Sequence, residues 1–212
     1  MGFLAWTLVC RQWVQGAAHT EPEVAGPDTP LERMVLNNIA NRCQAYIFKC
    51  SEAKLLHYQR IIREMGQYYQ HYSPYPGQLG INAKYAVLSN LVKRRFHELG
   101  FVGFYTVESF EGRERLEVGP YASNITAIHI IEIGKGVCGE SWARRETLIV
   151  KDVTKHPNYI ACDSVTMSEI VVPYFDLKGN IRAVFDIDAD FREYFEETDR
   201  ICLEELVNMM NY

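Results

Sequence analysis

The sequence predicts an α+β fold. Apolar residues recur at helical spacing before about residue 98 and again near the C-terminus, whereas strand-like runs fill the stretch between them. A clear hairpin turn lies inside that stretch, and no regular alternation of strand with helix is present. The length of 212 residues suits one domain of ordinary size plus an extension. These observations favour a sheet flanked by helices over a parallel βαβ architecture.

The N-terminal part of the chain is expected to be an extension. Residues 1 to about 30 contain several glycines and prolines without periodicity, so we expect them to be loosely ordered. Helical spacing starts near Leu31 and continues to about Gln70. We therefore divide the chain into an extension over residues 1–54, partly disordered or helical, and a domain over residues 55–212.

The domain itself is expected to alternate between helical and extended segments. A breaker-rich link precedes a helix from Asn82 to Glu98, for which Asn82 is the expected N-cap and Gly100 the expected stop. A closing helix is expected from about Glu196 to Met210. The expected strands are Gly100–Glu108, Arg115–Gly119, Thr126–Ile133, Leu148–Val153, Ile170–Phe175 and Ile181–Ile187. Residues 176–180 separate the last two strands and form the predicted hairpin turn.

Composition excludes several function classes. The formal net charge is −5 and no strong basic block occurs, so we expect no binding to nucleic acid or to anionic membranes. No apolar run is long enough to span a bilayer. The six cysteines are scattered without a CxxC pair, which is typical of a reducing compartment. We expect a cytoplasmic protein; the apolar N-terminus leaves organellar or other targeting open, although it lacks a charged leader.

Three acids are expected to meet at one end of the predicted hairpin. Asp186 and Asp188 are two residues apart on a strand and therefore share a face. Hairpin pairing would bring Glu169 close to them. Clustered carboxyls raise at least one pKa, so one acid could donate a proton while the others hold a substrate ammonium group. The alternative is that Asp186 and Asp188 only mark the solvent-exposed end of the strand.

Two cysteines are candidates for thiol chemistry. Cys162 could supply a thiolate; a buried structural cysteine is the alternative, and Asp163 alone would raise its pKa. Cys138 stands between Gly136 and Gly139, where the backbone can approach a ligand closely. His129, His156, Cys138 and Cys162 are the candidate ligands of a metal site. No pair of these has regular ligand spacing, so we expect no metal and no other cofactor.

Seven segments together resemble one enzyme family. They are Gly103-Phe-Tyr105, Gly119-Pro120, Gly134-Lys-Gly-Val-Cys-Gly139, Asp152-Val153, Ile160-Ala-Cys-Asp163, Ser168-Glu-Ile-Val-Val-Pro173 and Asp186-Ile-Asp188. In order and spacing they look like the free methionine-(R)-sulfoxide reductases, which are single GAF domains. The resemblance covers about Asn82 to Met210.

The resemblance implies a fold and a set of roles. The fold is a six-stranded, largely antiparallel sheet with helices on it, and the family is commonly homodimeric. The cysteine matching Cys162 attacks the sulfoxide sulfur, releases methionine and becomes a sulfenic acid. The acids matching Glu169, Asp186 and Asp188 bind the substrate and assist proton transfer. Tyr105 is expected to line the pocket for the S-methyl group.

The chain departs from the family at three positions. Ile128 stands where many members have a resolving cysteine, so resolution would fall to Cys138 or to an external, thioredoxin-type thiol. Phe101 replaces a tryptophan of the methyl pocket, and Tyr159 replaces a histidine. Two hypotheses follow. The retained Cys162 and acids favour a reductase of free methionine (R)-sulfoxide, and Ile128 favours a non-catalytic GAF module that binds a ligand or senses redox state.

Overall fold

A computed structural model of the protein describes residues 29–45, 51–71, 79–161 and 164–212. Its helices are α1 (Pro30–Ala45), α2 (Glu52–His71), α3 (Ile81–Arg95), α4 (Gly136–Arg144) and α5 (Glu197–Asn208). Its strands are β1 (Leu99–Phe110), β2 (Arg113–Ser123), β3 (Ile130–Ile131), β4 (Leu148–Val150), β5 (Ser168–Phe175) and β6 (Ile181–Ala189). Short 3₁₀ turns cover Val153–Lys155 and Met209–Asn211. No helix among these segments is both long and apolar enough to cross a bilayer.

The six strands form one sheet in the order β3-β2-β1-β6-β5-β4, and every neighbouring pair is antiparallel. The predicted α+β class and the six-stranded antiparallel sheet are therefore confirmed. The hairpin turn at residues 176–180 is confirmed as well, since it joins β5 to β6. Asp176 closes this turn by accepting hydrogen bonds from the backbone N–H groups of Lys178 and Asn180.

The two faces of the sheet bury different partners. Side chains alternate along a strand, so Val102 and Phe104 of β1 face one side while Phe101 and Tyr105 face the other. On the first side, α3 and α5 pack on the strands, and α1 and α2 pack on these helices. All four helices form one large hydrophobic cluster with the sheet. On the second side, α4 packs through Val137, Cys138 and Trp142. The acids of β5 and β6 face this second side.

Helix α1 belongs to the same core as the sheet. Its residues Val35, Leu36, Ile39 and Cys43 are buried in the cluster that also holds residues of β1, β5 and β6. The predicted helix over residues 31–70 is interrupted, because α1 ends at Ala45 and α2 begins at Glu52. The loosely ordered segment expected over residues 1 to about 30 falls almost wholly outside the described residues.

Several predicted boundaries were wrong for identifiable reasons. Helix α3 begins at Ile81 after an N-cap at Gly80, without a side-chain cap, so Asn82 lies inside the helix. Gly100 does not stop this helix but lies within β1. The strand predicted over residues 126–133 shrinks to Ile130–Ile131.

Pro120 accounts for the shortness of β3. The N–H of Val118 donates to the carbonyl of His129, and alternate residues of a strand direct their N–H groups to the same neighbour. Pro120 is two residues further on and has no N–H to donate. The β2–β3 ladder therefore cannot continue in that direction.

Candidate functional site

Three buried carboxyls lie side by side on β5 and β6. Glu169 pairs across the strands with Asp188, and Val171 pairs with Asp186, so all three acids project from the same face. Their exposed fractions are 5% for Glu169 and 3% each for Asp186 and Asp188. The prediction that the hairpin brings the acids together is confirmed. The alternative, that they mark a solvent-exposed strand end, is wrong.

Helix α4 places Cys138 against these acids. The helix begins at Gly136, whose φ of +61° is a left-handed conformation that favours glycine. Gly139 is also required, because a Cβ there would stand 2.3 Å from the carbonyl oxygen of Glu132. The Gly134 N–H donates to the Gly139 carbonyl at 2.8 Å, which fixes the preceding loop on the helix. The glycines thus allow the first turn of α4 to lie close to the loop at residues 132–134 and to Ile160.

The Cys138 sulfur and the acids form a compact group. The Sγ atom of Cys138 and one carboxylate oxygen each from Glu169 and Asp186 all lie within 4.8 Å of one another. A cavity of about 20 Å³ adjoins them, enough for roughly one water molecule. Its lining residues are Ile131, Gly136, Val137, Cys138, Tyr159, Ile160, Glu169, Asp186 and Asp188.

Burial and neighbouring groups raise the pKa values of Glu169, Asp186 and Cys138 to different extents. Burial raises the pKa of Glu169 well above its ordinary value, and the charges of Asp186 and Asp188 raise it further. Burial also raises the pKa of Asp186, to about 6, but hydrogen bonds from Cys138 and Glu169 favour its ionised form. Burial, followed by the charges of Asp186 and Glu169, raises the pKa of the Cys138 thiol. At neutral pH Glu169 and Cys138 therefore hold protons, and Asp186 accepts from both.

The predicted methyl-pocket residues lie in the same cluster but not on the cavity. Phe101 pairs with Asp188 across β1 and β6, and Tyr105 pairs with Val184. Both rings are buried in the cluster that contains Cys138, with centroids 6.2 Å apart. Neither ring lines the cavity of about 20 Å³. Their substrate-binding role stays a prediction.

The predicted attacking residue, Cys162, lies outside the described residues, as does Asp163. The chain that leads to it is described. Tyr159 and Ile160 line the cavity, and the Ile160 side chain stands 3.3 Å from where a Cβ on Gly136 would lie. The segment before Cys162 thus runs along the cavity that adjoins the acids.

A polar clamp that sequence reasoning missed holds this segment on α4. Asn158 donates through its amide to the Gly134 carbonyl at 2.7 Å and to Glu140 Oε1 at 2.9 Å. His156 Nε2 lies 3.2 Å from the same Glu140 oxygen. We call Glu140, His156 and Asn158 the loop clamp. The sequence had suggested His156 only as a metal ligand, and no spacing rule links it to Glu140.

The position expected to carry a resolving cysteine is hydrophobic here. Ala127 is buried, and Ile128 packs against the hydrophobic cluster that contains Cys138. Cys138 is a free, buried thiol. The two candidate histidine ligands, His129 and His156, are not part of the group formed by Cys138, Glu169 and Asp186.

The chain is similar to several proteins of known function or structure. No protein-family model matches the chain. Free methionine-R-sulfoxide reductase of Saccharomyces cerevisiae is 40% identical over 114 residues, which cover 54% of this chain and 62% of that protein. The enzyme of the same name from Escherichia coli is 34% identical over 131 residues, covering 62% of this chain and 76% of its own length.

Solved structures give the same result for the fold. The crystal structure of free methionine-R-sulfoxide reductase from Neisseria meningitidis in complex with its substrate has a TM-score of 0.65 and 32% identity, covering 77% of this chain and 91% of the other. A structure described as a GAF domain has a TM-score of 0.64 and 33% identity, covering 74% and 86%. The predicted GAF fold is thus confirmed, and the chain belongs to the free methionine-R-sulfoxide reductase family of oxidoreductase enzymes.

Proposed function

We propose that the protein reduces free L-methionine (R)-sulfoxide to L-methionine, with Cys162 as the attacking thiol. The observation that carries this proposal is the buried cluster of Glu169, Asp186 and Asp188, which adjoins a cavity lined by the segment that leads to Cys162. Relatives named for this reaction share the fold and much of the sequence.

The first step transfers oxygen from the substrate to the enzyme. The Cys162 thiolate attacks the sulfoxide sulfur while the S–O oxygen is protonated. Methionine leaves with its sulfur reduced by two electrons, and Cys162 keeps the oxygen as a sulfenic acid, oxidised by two electrons. Glu169 suits the role of proton donor, because its raised pKa keeps it protonated at neutral pH.

Asp186 and Asp188 suit the recognition of a free amino acid. Such a substrate carries an ammonium group, which a buried carboxylate binds more strongly than an exposed one. Asp186 and Glu169 share a hydrogen bond. Asp186 is the more readily ionised of the two, because its pKa is raised only to about 6.

Cys162 is then reset by a second thiol. Its sulfenic acid condenses with a thiol to give a disulfide and water, and a further thiol reduces the disulfide. Burial and neighbouring acids raise the pKa of Cys138, which leaves little thiolate for this attack. We therefore propose an external, thioredoxin-type thiol rather than Cys138 as the resolving group.

The remaining expectations also stand as proposals. We place the protein in the cytoplasm, in agreement with its scattered cysteines, with organellar targeting by the N-terminal residues as the alternative. We keep the family's homodimer as the assembly and residue 55 as the start of the domain. No metal or cofactor is required for the thiol chemistry described above.

Turnover with a defined epimer tests the function. Purified protein with dithiothreitol should convert free methionine (R)-sulfoxide and leave the S epimer unchanged, and Cys162→Ser should abolish conversion. The competing sensor hypothesis, which Ile128 favours, predicts binding of the R epimer without methionine release. Turnover that survives Cys162→Ser would refute the assignment of the attacking thiol.

A further inference from the structure

The group formed by Cys138, Glu169 and Asp186 has the composition and size of a cation site. One sulfur and two carboxylate oxygens lie within 4.8 Å of one another, and all three residues are buried. To bind one cation, these three atoms would need to move only modestly closer together, because zinc–sulfur and zinc–oxygen bonds are about 2.3 and 2.0–2.2 Å long. The adjoining cavity of about 20 Å³ holds one water-sized sphere.

A second observation at this site points to a ligand. The Oδ1 atom of Asp186 has no hydrogen-bond partner within the part of the chain that the structure describes, although Asp186 is 3% exposed. Asp186 also lines the cavity. A buried carboxylate oxygen without a donor is costly, and a bound cation or a substrate ammonium group would remove that cost.

We propose that Cys138, Glu169 and Asp186 bind a Zn²⁺-type divalent cation in the reduced protein, with water in the fourth position. The thiol selects for a borderline-soft metal such as Zn²⁺ and against Ca²⁺ and Mg²⁺, which prefer oxygen ligands. The cation displaces the protons of the thiol and of Glu169 to solvent. Its positive charge offsets the thiolate and carboxylate charges that this loss of protons leaves in the buried site.

This site overlaps the acids that we assign to the substrate. A bound cation would occupy Glu169 and Asp186 and so compete with methionine sulfoxide. This consequence rests on the proposed function, whereas metal binding itself does not. The cation would therefore act as an inhibitor of the proposed reductase.

Titration with Co²⁺ as a spectroscopic substitute for Zn²⁺ tests the binding without substrate. The full-length protein is kept reduced with a phosphine, which does not add competing thiols. We expect a sulfur-to-cobalt charge-transfer band in the near ultraviolet that one equivalent of Zn²⁺ abolishes and excess Ca²⁺ does not. Cys138→Ser should remove the band. Loss of a group that only hydrogen-bonds to a metal ligand weakens metal binding by roughly 10- to 100-fold. Asp186→Asn removes a ligand itself and should therefore weaken Co²⁺ binding by more than that.

Two matched variants serve as controls. Asp188→Asn removes an equally buried carboxyl of the same cluster that is not among the three ligands, so the band should remain. Cys162→Ser removes the other candidate thiol and should also leave the band. Absence of a band in the parent protein, or its loss in either control, would overturn the proposed ligand set whatever the protein's activity on methionine sulfoxide.

Discussion

Glu169 combines complete burial with close negative neighbours. Its carboxyl is 5% exposed and lies opposite Asp188 in the β5–β6 ladder. Ionising it in place costs free energy because water cannot solvate the charge and Asp186 and Asp188 repel it. The raised pKa that suits Glu169 to proton donation therefore also makes the stability of the protein depend on pH.

Glu169→Gln should reduce the loss of stability at high pH. The folded-state pKa of Glu169 is raised above its unfolded value of about 4.3, so its stabilising contribution is complete below that value and is lost as the pH rises through the folded pKa. We expect the free energy of unfolding in urea to fall less between about pH 5 and pH 8 in the variant than in the parent.

Glu114→Gln is the control, because Glu114 is exposed at the start of β2. It should leave the pH dependence of the parent unchanged. Equal slopes for Glu169→Gln and the parent would contradict the raised pKa.

The sequence could predict which acids meet but not how deeply they are buried. The spacing of Asp186 and Asp188 and the turn at 176–180 placed three carboxyls on one face. Periodicity cannot tell whether a face of the sheet is covered, and here α4 provides the cover. The proximity of Cys138 to the acids depends on how that helix packs. Local sequence patterns therefore could not predict it either.

At the scale of elements, the loop clamp connects α4 with the chain before Cys162. Asn158 joins the Gly134 carbonyl to the Glu140 carboxylate, and His156 lies beside the same carboxylate. Helix α4 carries Cys138 and packs on the acid-bearing strands. The clamp therefore fixes the distance between the acids and the segment that leads to Cys162, the proposed attacking thiol.

Asn158→Ala should slow methionine release more than it weakens substrate binding. Loss of both amide hydrogen bonds frees the segment from α4, and a misplacement of about 1 Å costs on the order of 100-fold in rate. We expect kcat to fall by roughly 10- to 100-fold with a smaller change in KM. Glu140→Gln should be milder, because its amide oxygen can still accept from Asn158.

Asn90→Ala is the matched control, because the Asn90 amide donates only within the exposed face of α3. Its kcat should equal that of the parent. An Asn158→Ala protein that loses stability but keeps its kcat would show that the clamp is structural and does not position the reacting segment.

Two elements show why local sequence patterns did not predict the secondary structure correctly. Residues 126–133 are rich in β-branched residues, yet only two of them pair, because Pro120 on the neighbouring strand has no N–H to offer. Helix α4 escaped prediction because glycines usually break helices. In this chain Gly136 and Gly139 are instead needed for the turn that starts the helix and for its close approach to the Glu132 carbonyl.

At the scale of the whole molecule, the N-terminal helices are part of the folded core. Ile39 of α1 is fully buried in the cluster that contains the sheet residues Val102 and Phe185. Helix α2 is tied to α5 by Lys54, whose ammonium lies 2.6 Å from the buried Asp199 carboxylate. The proposed boundary at residue 55 therefore does not mark the edge of the hydrophobic core.

Ile39→Ala should destabilise the whole protein. Truncating a fully buried isoleucine costs about 2–5 kcal/mol through lost burial and a residual cavity. Met34→Ala on the same helix should cost much less, since Met34 is 38% exposed. Urea unfolding followed by a signal from the sheet should show the large loss of stability in Ile39→Ala and the small loss in Met34→Ala. If Ile39→Ala leaves the unfolding transition of the sheet unchanged, α1 does not fold together with the sheet.

The overall topology was predictable because the resemblance, from about Asn82 to Met210, spans the sheet and the closing helix. The resemblance starts near Asn82, so it carried no information on how α1 and α2 pack. Their amphipathic spacing indicated helices, but periodicity does not identify the surface that a helix covers. Contacts between α1 and α5 join segments far apart in sequence, which local rules do not register.

The central claim is that Cys162 takes the oxygen from free methionine (R)-sulfoxide. The direct test is to add the R epimer once to reduced protein without further reductant, and to measure both the methionine released and the mass of the peptide containing Cys162. We predict one methionine per active site and either one added oxygen on Cys162 or a disulfide from it, with neither product from the S epimer. Methionine released without any change at Cys162 would contradict the account.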